Sequence, residues 1–327
     1  MDIIQSALHD GFSPFALSFV LAAIGLNIHF GYTGLLNFGQ AAFAAVGAYA
    51  MGVSIASFDL PLALALLIGV VAAVILALIL GVPTLRLRAD YLAIVTIAAA
   101  ESLRLIFSTS FKDYFHARDG VSAFTAGFRE LNPLPAFEGG RFLTYSRNDL
   151  WVMIVGWTVV VLVCILVWLL MRSPWGRVLK GIREDEEAVR SLGKNVYAYK
   201  MQALILGGVV GAFGGFIGGL GLASVQPDSF NTDFTFLAFT MVILGGAARV
   251  LGPVVGAVLF WAMLSGVGST LARLASGTDP LIPPNLMGPD QVSNVRFMLA
   301  GVALMLLMIF RPQGIFGDRK EIALDAH

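Results

Sequence analysis

The chain has 327 residues, 57% of them hydrophobic and only 13% charged, with a mean hydropathy of +0.82. Soluble domains carry about a quarter of their residues as charges, so composition excludes a soluble enzyme and a disordered chain. The 21 Lys and Arg balance 21 Asp and Glu, which leaves no net field to attract nucleic acid. The remaining fold class is an all-α polytopic membrane protein, because hydrocarbon offers no partner to an open backbone and only helices satisfy themselves.

Residues 1–10 contain Asp2 and Asp10 and no basic residue. They lack the positive segment of a cleavable signal peptide, so the first apolar segment is expected to be retained. No Asp, Glu, Lys or Arg occurs from Gly11 to Phe58. A crossing needs about 20 apolar residues, so that stretch predicts two spans, 12–30 and 33–56. Further spans are expected at 60–82, 91–108, Leu150–Met171, Met201–Leu222, Phe234–Ala248, 250–272 and 293–310, about nine in all. Residues 172–200 hold seven basic residues in 29 positions, and residues 109–149 hold five in 41. The denser loop is placed in the cytoplasm, the other outside, and the N-terminus outside. The whole chain, 1–327, reads as a single transmembrane domain.

Three features carry functional readings. Along the sixth span Gly207, Gly211, Gly215 and Gly219 recur every four residues, flanked by Gly214 and Gly218. Small residues at this spacing let helix backbones approach closely, as a fixed interface or as a sliding one. In the second span Thr33, Asn37, Gln40, Ala44 and Gly47 fall on one helical face. In lipid such a stripe must face protein or water: it bonds a neighbouring helix or lines the substrate path, unless Asn37, Gly39 and Gln40 break the helix. Glu101 and Arg104, three apart in the fourth span, can pair on one face, at the outer interface or at a cavity mouth.

The third feature is the polar loop 172–200. Glu184–Arg190 is expected to be a short helix with Ala188 and Val189 on its apolar side, and Gly193 is placed to end it. An amphipathic helix here points to a partner groove or to the membrane surface. His9, His29, His116 and His327 lack the spacing of metal ligands, and Cys164 stands alone. No G-x-x-x-x-G-K-[ST] or other catalytic spacing is present; the Gly193-Lys194 pair is followed by Asn195. Any active transport must therefore draw its energy from ions or from another subunit.

Five stretches in order carry a family resemblance: GYTGLLNFGQAAFAAVGAYA at 31–50, LRLRADYLAIVTIA at 85–98, GRVLKGIREDEEAVRSLG at 176–193, MVILGGAARVLGPVVGAVLF at 241–260, and FRPQGIFG at 310–317. With them the chain resembles the LivM-type permease subunits of ABC importers for branched-chain amino acids, in the bacterial inner membrane. The resemblance implies a coupling helix of pattern E-A-A-x-x-x-G that docks on an ATPase. Glu187, Ala188, Val189 and Gly193 match it, with Val189 in place of the second Ala. It also implies two cytoplasmic ATPase subunits that use ATP and Mg, no cofactor on this chain, a second permease and an extracytoplasmic substrate-binding protein. The loop 109–149, with Phe111, Tyr114, Phe115, Phe124, Phe128, Phe137, Phe142 and Tyr145, is expected to form part of the outer dock. Its HARDGV at 116–121 keeps only Gly120 of the family's glycine-rich stretch.

A pathway with few charges suits a zwitterion with an apolar side chain. It also suits urea or a short amide, which related permeases carry. An ion-coupled secondary transporter is the alternative from another class, and the coupling loop argues against it.

Overall fold

The computed structural model describes residues 3–86, 89–110, 112–135, 145–275, 289–311 and 313–317. In chain order the helices are α1 (Ile3–Phe12), α2 (Pro14–Leu26), α3 (Gln40–Ala56), α4 (Leu62–Thr84), α5 (Ala89–Thr109), α6 (Lys112–Phe115) and α7 (Ala126–Glu130). They continue as α8 (Arg147–Arg172), α9 (Pro174–Glu184), α10 (Glu186–Ser191), α11 (Val196–Leu222), α12 (Thr232–Gly245), α13 (Gly252–Ala275) and α14 (Pro289–Phe310). Among the described residues six segments are long and apolar enough to cross a membrane alone: Pro14–Tyr32, Leu62–Thr84, Tyr91–Thr109, Arg147–Arg172, Val196–Leu222 and Gly252–Leu274. Gln40–Ala56, Thr232–Gly245 and Asn294–Ala303 are shorter apolar helices. The protein is thus a helical polytopic membrane protein, as its composition requires.

α2 and α11 form the centre. Every residue of α2 from Ala16 to Leu26 is buried, whereas α4 and α8 leave one long apolar face exposed. Pro14 packs beside Gly221 at the end of α11, and α9 and α10 lie at its start. The 27 residues of α11 separate these two ends by about 40 Å. The end with α9 and α10, read as cytoplasmic from its Lys and Arg, is called the inner end here.

The first two expected spans are not plain α-helices. The first continues α2 as a π-helical turn, Asn27–Tyr32. The second starts only at Gln40, and residues 34–39 are not helical. The seventh has 14 residues, about 21 Å, too short for the ~30 Å core. Ahead of the first span, residues 3–12 form a separate helix, α1, which packs along α13.

The outer end is closed by local structure. Val121–Ser122 pairs antiparallel with Ser224–Val225, linking the outer loop to the α11–α12 connection. Gly120, just before this pair, has φ +73°. The Tyr145 hydroxyl donates to the His9 carbonyl and the two rings stack with centroids 4.1 Å apart. Burial, reinforced by Asp10 and Asp149, pushes Tyr145 up to about 12, so the phenol keeps the proton it donates.

Candidate functional site: the broken helix and the coupling segment

The π-helical turn and residues 33–40 form a buried polar knot. Its atoms can be assigned from donor logic. The Gly39 N–H can only donate, and it donates to Asn37 Oδ1 at 2.9 Å. The Asn37 amide nitrogen therefore faces His29 Nδ1, 3.1 Å away, which accepts. That leaves the proton of His29 on Nε2, which donates to the Leu204 carbonyl of α11 at 3.1 Å. Thr33 Oγ1 donates to the Ile28 carbonyl. Thr33, Asn37 and Gln40 are at most 2% exposed.

The stripe of Thr33, Asn37 and Gln40 is therefore not a helical face. Thr33 closes the π turn, 34–39 climbs irregularly, and Gln40 opens α3 deep in the membrane. The physical reason is the competition of Asn37 and Gly34 with helix. Asn37 bonds the backbone two residues on, and Gly34 sits at φ +73°.

A helix start inside a membrane leaves N–H groups to satisfy. Thr96 of α5 accepts from Phe38 N at 3.0 Å, and Thr235 of α12 accepts from Ala41 N at 2.9 Å. Gln40 Nε2 donates to the Ala22 and Gly207 carbonyls, and its Oε1 has no partner among the described residues. Sequence reasoning missed Thr96 and Thr235. Each is a lone hydroxyl in an apolar run, with no local signal of a distant role.

The glycine line of α11 supports this start. A Cβ on Gly207 would strike the His29 ring, one on Gly211 the Gln40 side chain, and one on Gly215 the Ala44 carbonyl. At Gly219 it would meet no backbone, just the side chains of Val225, Met51 and Phe124 at 3.1, 3.4 and 3.6 Å. Gly214 and Gly218 face α2, where Ser18 Oγ donates to the Gly214 carbonyl at 2.8 Å. Three of the four aligned glycines thus touch the knot or the first turns of α3.

The segment 172–200 folds as two helices rather than one. Asp185 ends α9 in an extended conformation and caps α10, accepting from Glu187 N and Ala188 N at 2.9 and 3.0 Å. The expected helix start at Glu184 thus moves to Glu186. Gly193 N bonds Arg190 O and Lys194 N bonds Val189 O, with Gly193 at φ +77°. This is a left-handed glycine cap. Val189 turns inward with Leu179 and Ile182. Glu187, Ala188 and Gly193 are exposed, and Leu192 is 79% exposed. The outward apolar pair is therefore Ala188 and Leu192, not Ala188 and Val189.

The coupling segment and the broken helix touch directly. Arg183 Nη1 donates to the Gly31 carbonyl at 2.6 Å, and its stem lies over Gly34. On the opposite side Asn27 accepts from Ala248 N and donates to Arg249 O, both at 2.9 Å. The end of α12, just before the 246–251 turn, is tied to the 313–317 stretch, through Ile315 N to Leu244 O and Phe316 N to Gly245 O. Four of the stretches quoted above, 31–50, 176–193, 241–260 and 310–317, meet at this one place. The fifth, 85–98, reaches it through Thr96. Arg88, and also Pro312, Arg319 and Lys320, lie outside the described residues.

At the outer end Arg104 pairs with Glu101 at 2.6 Å and also with Asp228 of the α11–α12 connection at 2.7 Å. The expected dock aromatics mostly fold inward: Phe124, Phe128 and Tyr145 are buried, and Phe115 packs on Phe107. Tyr114 remains exposed, stacked on Phe58. Phe111, Phe137 and Phe142 lie outside the described residues. Among the described residues no three of His, Cys, Asp and Glu gather as a metal site.

Interrupted helices with buried neutral polar groups, and an amphipathic segment attached to them at one end, define a membrane transport protein. The family described as "Branched-chain amino acid transport system / permease component" matches residues 11–310, and the chain belongs to this family of ABC importer permeases. It is 29% identical to the "High-affinity branched-chain amino acid transport system permease protein LivM" of Escherichia coli K12, over 91% of this chain and 67% of that one. It is 25% identical to the "Probable branched-chain amino acid transport permease protein LivM" of Methanocaldococcus jannaschii, over 93% and 92%. A shorter match, 35% identical over 37% of this chain and 33% of the relative, is the "Fructose import permease protein FrcC" of Rhizobium meliloti. The chain is a multi-pass transport subunit of the inner membrane.

Proposed function

We propose that this chain forms the translocation pathway for leucine, isoleucine and valine in an ATP-driven importer working by alternating access. The observation that carries this reading is the bond from Arg183 to the Gly31 carbonyl. It joins a segment suited to dock a motor to the stretch where the second transmembrane helix starts late, at Gln40. Glu187, Ala188 and Gly193, with Leu192 beside them, form the face offered to the ATPase, and Val189 anchors that face to the membrane domain. Two such ATPases bind ATP and Mg. A second permease completes the path, and an extracytoplasmic binding protein delivers the substrate. To shift the two access states from 1:99 to 99:1, the motor must favour one by about 5.5 kcal/mol.

Thr33, Asn37 and Gln40 gate the path: enclosed in the present state, they become its lining when the 33–40 segment shifts. The knot offers amides, hydroxyls and an imidazole. Neutral dipoles can pass a zwitterion without trapping it. The named roles of the two long relatives support the substrate class.

The assembled transporter in vesicles should take up labelled leucine in strong preference to urea; preference for urea would replace the substrate assignment. Ala188→Glu should abolish ATPase capture in a pull-down, since it puts a charge in the docking pair while leaving the membrane core untouched. Undiminished capture would remove the docking role of this face.

A further inference from the structure

A cavity of about 410 Å³ opens at the inner end beside α10, lined by Arg86, Arg190, Lys194, Glu186 and Tyr197 among others. Three cations face one carboxylate there. Glu186 is already engaged, by Arg190 at 2.7 Å and by Lys200. Among the described residues the charge left over is therefore positive and sits on Arg86 and Lys194. Arg86 lies over the Tyr197 ring, 5.5 Å from its centroid, and the Tyr197 hydroxyl reaches the Val82 carbonyl of α4.

This cavity stands at the foot of an apolar stripe. Leu64, Leu67, Val71, Ile75, Leu78 and Val82 recur every three or four residues along α4, all between 40% and 57% exposed. Arg86 follows Val82 by four residues, where α4 leaves the hydrocarbon. An aromatic ring at that level is typical of the headgroup layer. A cationic recess beneath a hydrocarbon-facing stripe matches one kind of molecule along its whole length: phosphate below, acyl chain above.

We propose that this recess seats the phosphate of an anionic phospholipid of the inner leaflet, with its chain along α4 and its headgroup against the coupling helix. Arg86 and Lys194 supply the free charge, Arg190 the third donor, and Tyr197 holds Arg86 in place. Because α10 forms one wall, a bound lipid joins α4 and α11 to the segment that meets the motor.

The test is made on the complete transporter purified in mild detergent, with retained lipid counted by native mass spectrometry. The probes are phosphatidylglycerol, phosphatidylcholine and inorganic phosphate. The wild type should retain phosphatidylglycerol over phosphatidylcholine. Arg86→Gln with Lys194→Gln should weaken that retention by about 30-fold, roughly fivefold per cation. Arg86→Lys should restore most of it. If the double variant assembles poorly, Lys194→Gln alone, an exposed change, should give the fivefold loss. Equal retention by wild type and variants, or no preference over phosphatidylcholine, would overturn the site. Displacement of the lipid by inorganic phosphate at equal concentration would show that a free anion, not a lipid, is the occupant. The readout is binding, so it stands apart from whether α10 couples transport.

Discussion

The two ends of the molecule are held together by different physics. The inner end is a knot of buried hydrogen bonds, most of them from side chains to backbone: Asn27 on the 246–251 turn, Asn37 on Gly39 and the His29 ring, and Arg183 on Gly31. The outer end is fastened by aromatic stacking, a two-residue strand pair and an ion triad of Glu101, Arg104 and Asp228. Stacked rings and exposed ion pairs tolerate small displacements. Buried hydrogen bonds to a specific carbonyl have one good geometry and switch between discrete alternatives. The difference assigns a closure that yields without opening to the outer end and conformational switching to the inner one.

This comparison can be broken by substitution, starting with the largest effect. Gly215→Val puts side-chain atoms onto the Ala44 carbonyl, a backbone clash that no rotamer relieves. It should cost at the upper end of ~1–3 kcal/mol, seen as a large loss of folded protein in thermal unfolding. Gly219→Ala, which meets only yielding side chains, should be nearly silent. Equal effects would mean that α3 is not held at its depth by α11. Ser18→Ala removes the bond to the Gly214 carbonyl and should cost about 1 kcal/mol, lowering the melting temperature while uptake persists. Asp228→Asn at the outer triad should cost less than about 1 kcal/mol, because Asp228 is largely exposed. Uptake in vesicles should be unchanged; a marked loss would move switching to the outer end.

Much of this was legible in the residues. Composition alone requires membrane helices, and the apolar segments recur in the expected order. Glycine spacing in α11 foretells close packing, and Gly193 lies where a left-handed cap is needed. What could not be read was any feature set by distance in space. Thr96 and Thr235 are single hydroxyls whose partners lie 58 and 194 residues away. Asp228 is a loop carboxylate until it meets Arg104. The helical stripe through Thr33 and Gln40 fitted the period, but Asn37 Oδ1 accepts from the Gly39 N–H and Gly34 takes a left-handed turn, and local chemistry prevailed over periodicity. Asp185 likewise reads as one charge in a run, yet as a cap it divides α9 from α10 and turns Val189 inward.

The central claim is that the grip of Arg183 on the π-helical turn carries the motor's movement into the pathway. Its most direct test is the ratio of leucine uptake to ATP hydrolysis in vesicles holding the assembled Arg183→Gln transporter. A hydrogen bond to a charged group is worth about 1.5–3 kcal/mol, so uptake should fall about tenfold or more while hydrolysis and ATPase capture persist. An unchanged ratio would contradict the account.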